Sequence, residues 1–290
     1  MKRDGILTSV WQDNIADIIT SSTISQEEVY DVLIVGAGIT GITTGLLLQK
    51  AGKKVVIAEA ANIGFGTSGG TTAHLNNFFD SSYDEVISNF GKENATLLAE
   101  AAGKAMIFIK NNIDEYKIEC SYEQKEGFIF SVEEKQNKIL DDLVNATKEV
   151  GLTIDYVNKS PFPIPYLKIS SIANQAQFNP LEYIHALVNE FEKSGGIILQ
   201  QCRVEGIEEA EILKVKTSSG TILAHHAIYA THIPPGVNLL HFRCAPYRSY
   251  VIAATLKSGD YPEALGYDLV DPYHYYRSQK IKGQTYLIAG

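Results

Sequence analysis

Glycines at positions 36, 38 and 41, set between two short apolar runs, constrain this chain more than any other feature. Asp31 to Val35 has the unbroken apolar character of a strand buried in a parallel sheet. The G-x-G-x-x-G spacing leads into a helical stretch, Thr43 to Lys50, and then a β-branched strand, Lys54 to Ala58, which ends at Glu59. Each part has a physical reason. The first glycine permits a tight turn, the second lets backbone approach a pyrophosphate, and the third lets helix pack closely on strand. The helix N-terminus offers unpaired N–H groups and a partial positive charge to phosphates. Glu59, about twenty residues on, is placed to accept hydrogen bonds from a ribose 2′-hydroxyl. Glycines alone are common in turns, but here strand, glycines, helix, second strand and acid occur in order. The segment predicts an adenine dinucleotide site through Gly36, Gly38, Ile39, Thr40, Gly41, Glu59 and Ala60. The acid argues for an unphosphorylated ribose, so FAD or NAD fits better than NADP.

The next stretch separates these two. Asn62 to Asn76 is rich in Gly, Ser and Thr and has no apolar periodicity, so it reads as a loop. Gly66, Thr67, Ser68, Thr71, Thr72, Ala73 and His74 offer many N–H and O–H donors to something large and polar. A simple NAD dehydrogenase leads quickly into another helix–strand unit instead. The pattern resembles the FAD-dependent oxidoreductases of the D-amino acid oxidase, sarcosine oxidase and glycine oxidase family. In that family this loop runs along the flavin diphosphate and ring, and the resemblance implies FAD as cofactor.

The resemblance extends from Tyr30 to Gly290. Asn179 suits an N-cap, Pro180 a first helical position, and Glu182 a capping-box partner. Ile184, Leu187, Val188 and Phe191 recur at helical spacing before Gly195-Gly196 ends the helix. A strand from Ile197 to Val204 follows, and the resemblance implies an adenine contact at Val204. A hairpin turning at Ser218-Ser219-Gly220 leads to a strand ending in Ala230-Thr231-His232. Related flavoproteins end it in Ala-Thr-Gly at a close approach to the cofactor, so Ala230 and Thr231 are expected there and His232 is a departure. The leader and the glycine-rich loop look most like a subgroup fused to a C-terminal Rieske domain. Cys120, Cys202 and Cys244 are too scattered to ligate such a cluster, and no zinc or other metal site is expected. Thr285 to Gly290 resembles the strand leading into a second glycine motif, so the chain reads as truncated relative to that family, or as a member with a shortened C-terminus.

At 290 residues the chain has room for two domains, and its net charge of −9 argues against nucleic acid as partner. Four glycines break the longest apolar run, and the leader lacks the apolar core of a signal peptide. No integral membrane segment is expected, and scattered cysteines point to the cytoplasm. The expected fold is α/β: a Rossmann-like FAD-binding domain, a parallel sheet with a β-meander, interleaved with an α+β antiparallel-sheet substrate domain. The expected boundaries are a leader at 1–29, the FAD domain at 30–120 and 170–235, and the substrate domain at 121–169 and 236–290. Residues 82–116 read as one helix with Val86, Phe90, Leu97 and Ile109 on its apolar face. Strands are expected at 126–132 and 153–157, a helix at 133–150, and irregular chain at Pro161, Pro163 and Pro165.

The resemblance implies hydride transfer from the C–N bond of an amine or amino acid to the flavin. A substrate carboxylate is matched by an arginine fork, which makes Arg248 and Arg277 candidate anchors. Tyr250, Tyr275 and Tyr276 are candidates to line the pocket, although alternating Tyr and Arg also describes a strand with one packed face. His74 stands where related dimethylglycine dehydrogenases carry a histidine bonded to flavin, implying a covalent bond or a simple contact. The electron acceptor stays open. So do two other readings, a flavin dehydrogenase of hydroxy acids or glycerol phosphate, and an inactive flavin-binding module.

Overall fold

A computed structural model describes residues 7–18, 20, 27–78, 80–233 and 249–290. Their contacts divide into two compact units, one within Met1–Thr71 and Asn179–Tyr247, the other within Thr72–Phe178 and Arg248–Gly290. In chain order the first unit begins with β1 (Val29–Val35), α1 (Ile39–Lys50), β2 (Val55–Ala58) and α2 (Thr67–Gly70). The second supplies β3 (His74–Leu75), α3 (Tyr83–Phe90), α4 (Lys92–Glu115), β4 (Glu123–Ser131), α5 (Glu134–Glu149), β5 (Ile154–Tyr156) and β6 (Lys168–Gln177). The chain returns to the first unit with α6 (Pro180–Lys193), β7 (Ile197–Leu199), β8 (Val204–Glu208), β9 (Leu213–Thr217) and β10 (Gly220–Tyr229). It closes in the second with β11 (Ile252–Ala254), β12 (Leu265–Asp268), β13 (Tyr275–Ile281) and β14 (Gln284–Ala289).

The first unit is built on a six-stranded sheet ordered β7-β2-β1-β10-β9-β8. Its first four strands are parallel and the last two form an antiparallel meander. The apolar runs of β1 and β2 are buried on both faces, as a central parallel strand requires. Leu33, Val35, Val56, Ala58, Val215, Ile222 and Ala224 share one core. Helices α1 and α6 pack on each other, and a Cβ at Gly45 would sit 2.9 Å from Ile57 and 3.2 Å from Phe191, so close helix packing needs that glycine. Asn179 caps α6 as its sequence implies, its side chain accepting from Leu181 N and Glu182 N. Helix α1 begins at Ile39 rather than Thr43, which puts Gly41 inside its first turn. The expected strand 197–204 is split in two. After β7 the chain turns at Gln201 (φ 54°) and crosses to the far edge of the sheet as β8.

The second unit holds a mixed sheet ordered β11-β14-β13-β12-β4-β6-β3, with β5 paired beside β6. Helix α5 covers it through Leu140 and Val144, which meet Ile129, Ile154, Ile172 and Leu265. Glu133 and Gln136 cap this helix reciprocally. The single helix expected over 82–116 is two helices, because Gly91 adopts φ 85° between them. Phe90 and Leu97 are exposed rather than packed. Residues 72–120, grouped above with the nucleotide domain, lie in this unit because α3 and α5 share a core of Tyr83, Ala95, Ala99, Ala146 and Val150 with α4. Strand β6 has no sequence expectation behind it. Its buried residues include Ser170, Gln175 and Gln177, so its pattern carries no hydrophobic alternation.

Candidate dinucleotide and flavin site

In the first unit the fingerprint closes on itself. Gly36 turns the chain out of β1 with φ 106°, and a Cβ there would lie 2.8 Å from the Ala230 carbonyl. A Cβ on Gly38 would meet Ser68 Oγ at 2.9 Å, and one on Gly41 would stand 1.9 Å from Gly36 O. Only hydrogen fits at position 41. The Glu59 carboxylate sits at the end of β2 and accepts twice: from Ala37 N at 2.7 Å and from Ala61 N at 2.8 Å. The acid therefore ties the turn before α1 to the strand after it, and Ala60 lies within that clasp. Each carboxylate oxygen has a second lone pair, so accepting a ribose hydroxyl remains open to it.

Ser68 Oγ accepts from Ile39 N at 3.0 Å and brings α2 to the start of α1. No acid stands in the first turn of α1, and Thr40 there is exposed. Ala230 N donates to Val35 O at 2.9 Å, and Thr231 Oγ1 donates to Ile233 O. His232 adopts φ 65°, a left-handed conformation, which gives a physical reason for glycine at this place in related proteins. Val204 opens β8 opposite Thr217 and is half-buried. Gly66, the N-cap of α2, and Gly70, its last residue, have open space where a Cβ would be. The loop expected over 62–76 thus contains one helical turn at Thr67–Gly70 and, in the second unit, the short strand β3.

His74 belongs to the second unit. Its Nδ1 lies 2.7 Å from Tyr267 Oη, which also accepts from Asn76 Nδ2 at 3.3 Å. Asn76 Nδ2 and His74 Nδ1 thus both engage the Tyr267 hydroxyl. Although the residue as a whole is half-buried, Nε2 is enclosed and has no partner among the described residues. Burial, reinforced by the Arg277 charge, pushes the His74 pKa down to about 3. The ring is neutral throughout the physiological range. In the unfolded chain His74 binds a proton near pH 6.5, so between there and about 3 the unfolded state holds the extra proton and stability falls with acidification. The expected contribution of His74 is a slope of up to about 1.4 kcal/mol per pH unit below pH 6. Urea melts of wild type and His74→Gln over pH 4.5–7.5 check it: the curve of the variant should be flatter in that window.

The substrate-side expectations fare differently. Arg277 is fully buried on β13. Its Nη1 donates to Thr72 O at 2.7 Å, Ala73 O at 2.8 Å and Phe178 O at 3.3 Å, and its Nη2 to Gln279 Oε1. A carboxylate anchor must present its fork to a ligand, whereas this fork holds the backbone around Ala73, itself left-handed at φ 55°. Arg277 is corrected from anchor to structural clamp. Burial lowers its pKa to about 9, with Glu123 the compensating charge, so it stays cationic near neutrality. Tyr250 is 84% exposed and lines nothing among the described residues. Tyr276 is half-buried, its hydroxyl 3.5 Å from Asp268 Oδ2 and its ring against Phe162. Tyr275 packs edge-on to His74. Arg248 lies outside the described residues. Among the described residues no group of acids, histidines and cysteines is arranged to hold a metal ion, and no helix is long and apolar enough to cross a membrane.

Sequence reasoning missed Tyr267, which lies 193 residues from His74 and left no local signal, and with it the bond from Asn76 to the same hydroxyl. It also missed Ser9 and Gln12, although their S-x-x-Q spacing was a readable capping signature.

Comparison with known proteins gives the chain its relatives. A Bacillus subtilis protein named as a Rieske 2Fe-2S iron-sulfur protein, YhfW, is 31% identical over 94% of this chain and 54% of its own length. Gamma-glutamylputrescine oxidoreductase of Escherichia coli is 25% identical over 72% of this chain and 50% of its own length. The chain thus spans about half the length of these curated relatives. Glycine oxidase from Geobacillus kaustophilus superposes with a TM-score of 0.69 at 15% identity, covering 89% of this chain and 70% of that one, a likeness of fold. Residues 31–290 match the profile of the FAD dependent oxidoreductases, DAO, and the chain belongs to that family.

Proposed function

We propose that this chain binds FAD and oxidises the C–N bond of a small amine or amino acid. The observation that carries the reading is the closed fingerprint: three glycines without room for side chains, a helix with no acid in its first turn, and Glu59 clasped across the turn before it. These features suit a diphosphate and a ribose, and the redox step itself is the chemistry FAD supplies when bound. Gly36, Gly38 and Gly41 give the backbone its close approach, Ile39 and Thr40 bring the helix N–H groups, and Glu59 with Ala60 receives the ribose. Gly66, Thr67, Ser68, Thr71, Thr72 and Ala73 are the proposed donors along the cofactor, with backbone at Val204, Ala230 and Thr231 completing its surroundings.

His74 enters as a neutral imidazole. Its Nδ1 is paired with Tyr267 Oη, its enclosed Nε2 has no partner among the described residues, and the contact with flavin is read as non-covalent. With Arg277 committed to carbonyls, Arg248 remains the sequence's candidate for a substrate carboxylate. The commitment of Arg277 also favours a second reading, a flavin-binding module without turnover.

Purified chain should show a flavin band near about 450 nm that moves into the supernatant on acid precipitation. Anaerobic addition of small amines and amino acids should then bleach that band. Colour left in the pellet would restore covalent attachment through His74. Bound flavin that no amine, hydroxy acid or glycerol phosphate reduces would leave the inactive module, and bleaching only by the latter two would replace the amine reading.

A further inference from the structure

The leader folds against the loop that follows Glu59. Ser9 Oγ accepts from Gln12 N at 3.2 Å while Gln12 Oε1 accepts from Ser9 N at 3.0 Å, a reciprocal cap that orders one turn. Trp11, within that turn, is 1% exposed. Three donors leave the turn for three carbonyls of the loop. Gln12 Nε2 donates to Phe65 O at 3.2 Å, Ser9 Oγ to Gly69 O, and Trp11 Nε1 to Thr71 O at 2.7 Å. Beyond the turn, Asp17 accepts from Asn62 Nδ2 at 2.7 Å, and Ile18 O accepts from Gln200 Nε2 at 2.7 Å. Gly69 is fitted to this clasp: a Cβ there would lie 2.3 Å from Gly64 O and 2.9 Å from Gln12 Nε2.

The consequence is electrostatic. A loop that serves a diphosphate must present donors and turn its carbonyl oxygens elsewhere, because carbonyl and phosphate oxygens repel. Here the carbonyls of Phe65, Gly69 and Thr71 are turned to the leader and satisfied by it. We infer that Ser9, Trp11 and Gln12 are positioning residues of the FAD site, acting by holding loop 65–71 with its carbonyls away from the cofactor. The inference rests on the FAD reading above. Without the clasp the loop samples other arrangements, and apparent affinity falls by the fraction of time it spends in the competent one.

The test is the FAD dissociation constant of the apo-chain, from quenching of flavin fluorescence, together with the thermal melt of the same apo-chain. Trp11→Phe keeps an aromatic ring, though a smaller one, at the buried position and removes the N–H donor, and the double variant Ser9→Ala with Gln12→Ala removes the other two. If the clasped loop drops to about a tenth of the population, the dissociation constant rises about tenfold. That rise is expected in each variant, with a larger one on combination, while the apo-chain melts within a few degrees of wild type. Should Trp11→Phe fail to fold, the double variant decides alone. A lowered melting temperature with FAD affinity unchanged would make the leader a stabilising segment only and overturn the inference. Wild type that takes up no FAD at all would instead sink the FAD reading, and this inference with it.

Discussion

Gly41→Ala is expected to abolish FAD binding and to destabilise the first unit by about 3 kcal/mol or more. The methyl group would stand 1.9 Å from the Gly36 carbonyl, and the obstacle is backbone, which has no alternative rotamer. Relief requires α1 to move off β1, and that opens the turn on which both Ala37 N–H to Glu59 and Ile39 N–H to Ser68 depend. The expected readout is loss of flavin from the purified chain and a melting transition lowered by about 10 °C. Gly103→Ala is the control, since a Cβ there meets nothing within 4 Å in the interior of α4. It should be neutral or stabilising by about 0.5–1 kcal/mol and leave FAD binding intact. Equal tolerance at both positions would show that the glycine fingerprint is not a close-packed turn.

Arg277→Met should cost the second unit about 3–5 kcal/mol, the range for breaking a buried charged network from one side. The substitution keeps an unbranched apolar stem but leaves Thr72 O, Ala73 O, Phe178 O and Gln279 Oε1 without their donor. Ala73, held left-handed at φ 55°, is then free to relax, and β3 with His74 shifts beside it. Arg277→Lys retains the charge but cannot span carbonyls on two segments with a planar fork, so it should recover only part of the loss. Chemical denaturation followed by a probe in the second unit gives the measurement. A carboxylate anchor would behave in the opposite way: stability near wild type, with the loss appearing in substrate affinity.

The two sites separate what local sequence could reveal from what it could not. Residues 29–60 were legible because every contact that defines the fingerprint is local or falls between adjacent elements. Turn, helix start and ribose acid are each dictated by residue type at short range. Asn179-Pro180 was legible for the same reason, a cap being a contact over two or three residues. Arg277 was read as an anchor because Tyr-Arg alternation on a strand does not say which face is buried. That depends on β13 meeting the carbonyls of Thr72, Ala73 and Phe178, which lie 99 to 205 residues away. Strand β6 was invisible because its buried positions carry Ser and Gln, whose partners come from across the sheet. Tyr267 was missed because its partners His74 and Asn76 lie more than 190 residues away.

The sequence by itself therefore determined the family, the nucleotide-binding βαβ unit and its glycines, since those rest on short-range sterics and hydrogen-bond geometry. Tertiary structure alone decided that His74 is a neutral ring locked by Tyr267, that Arg277 is a buried clamp, and that the leader holds the loop after Glu59. Each of these is a property of burial and of partners brought together by chain folding. Protonation and donor availability follow from that environment, and no residue carries them in its own identity.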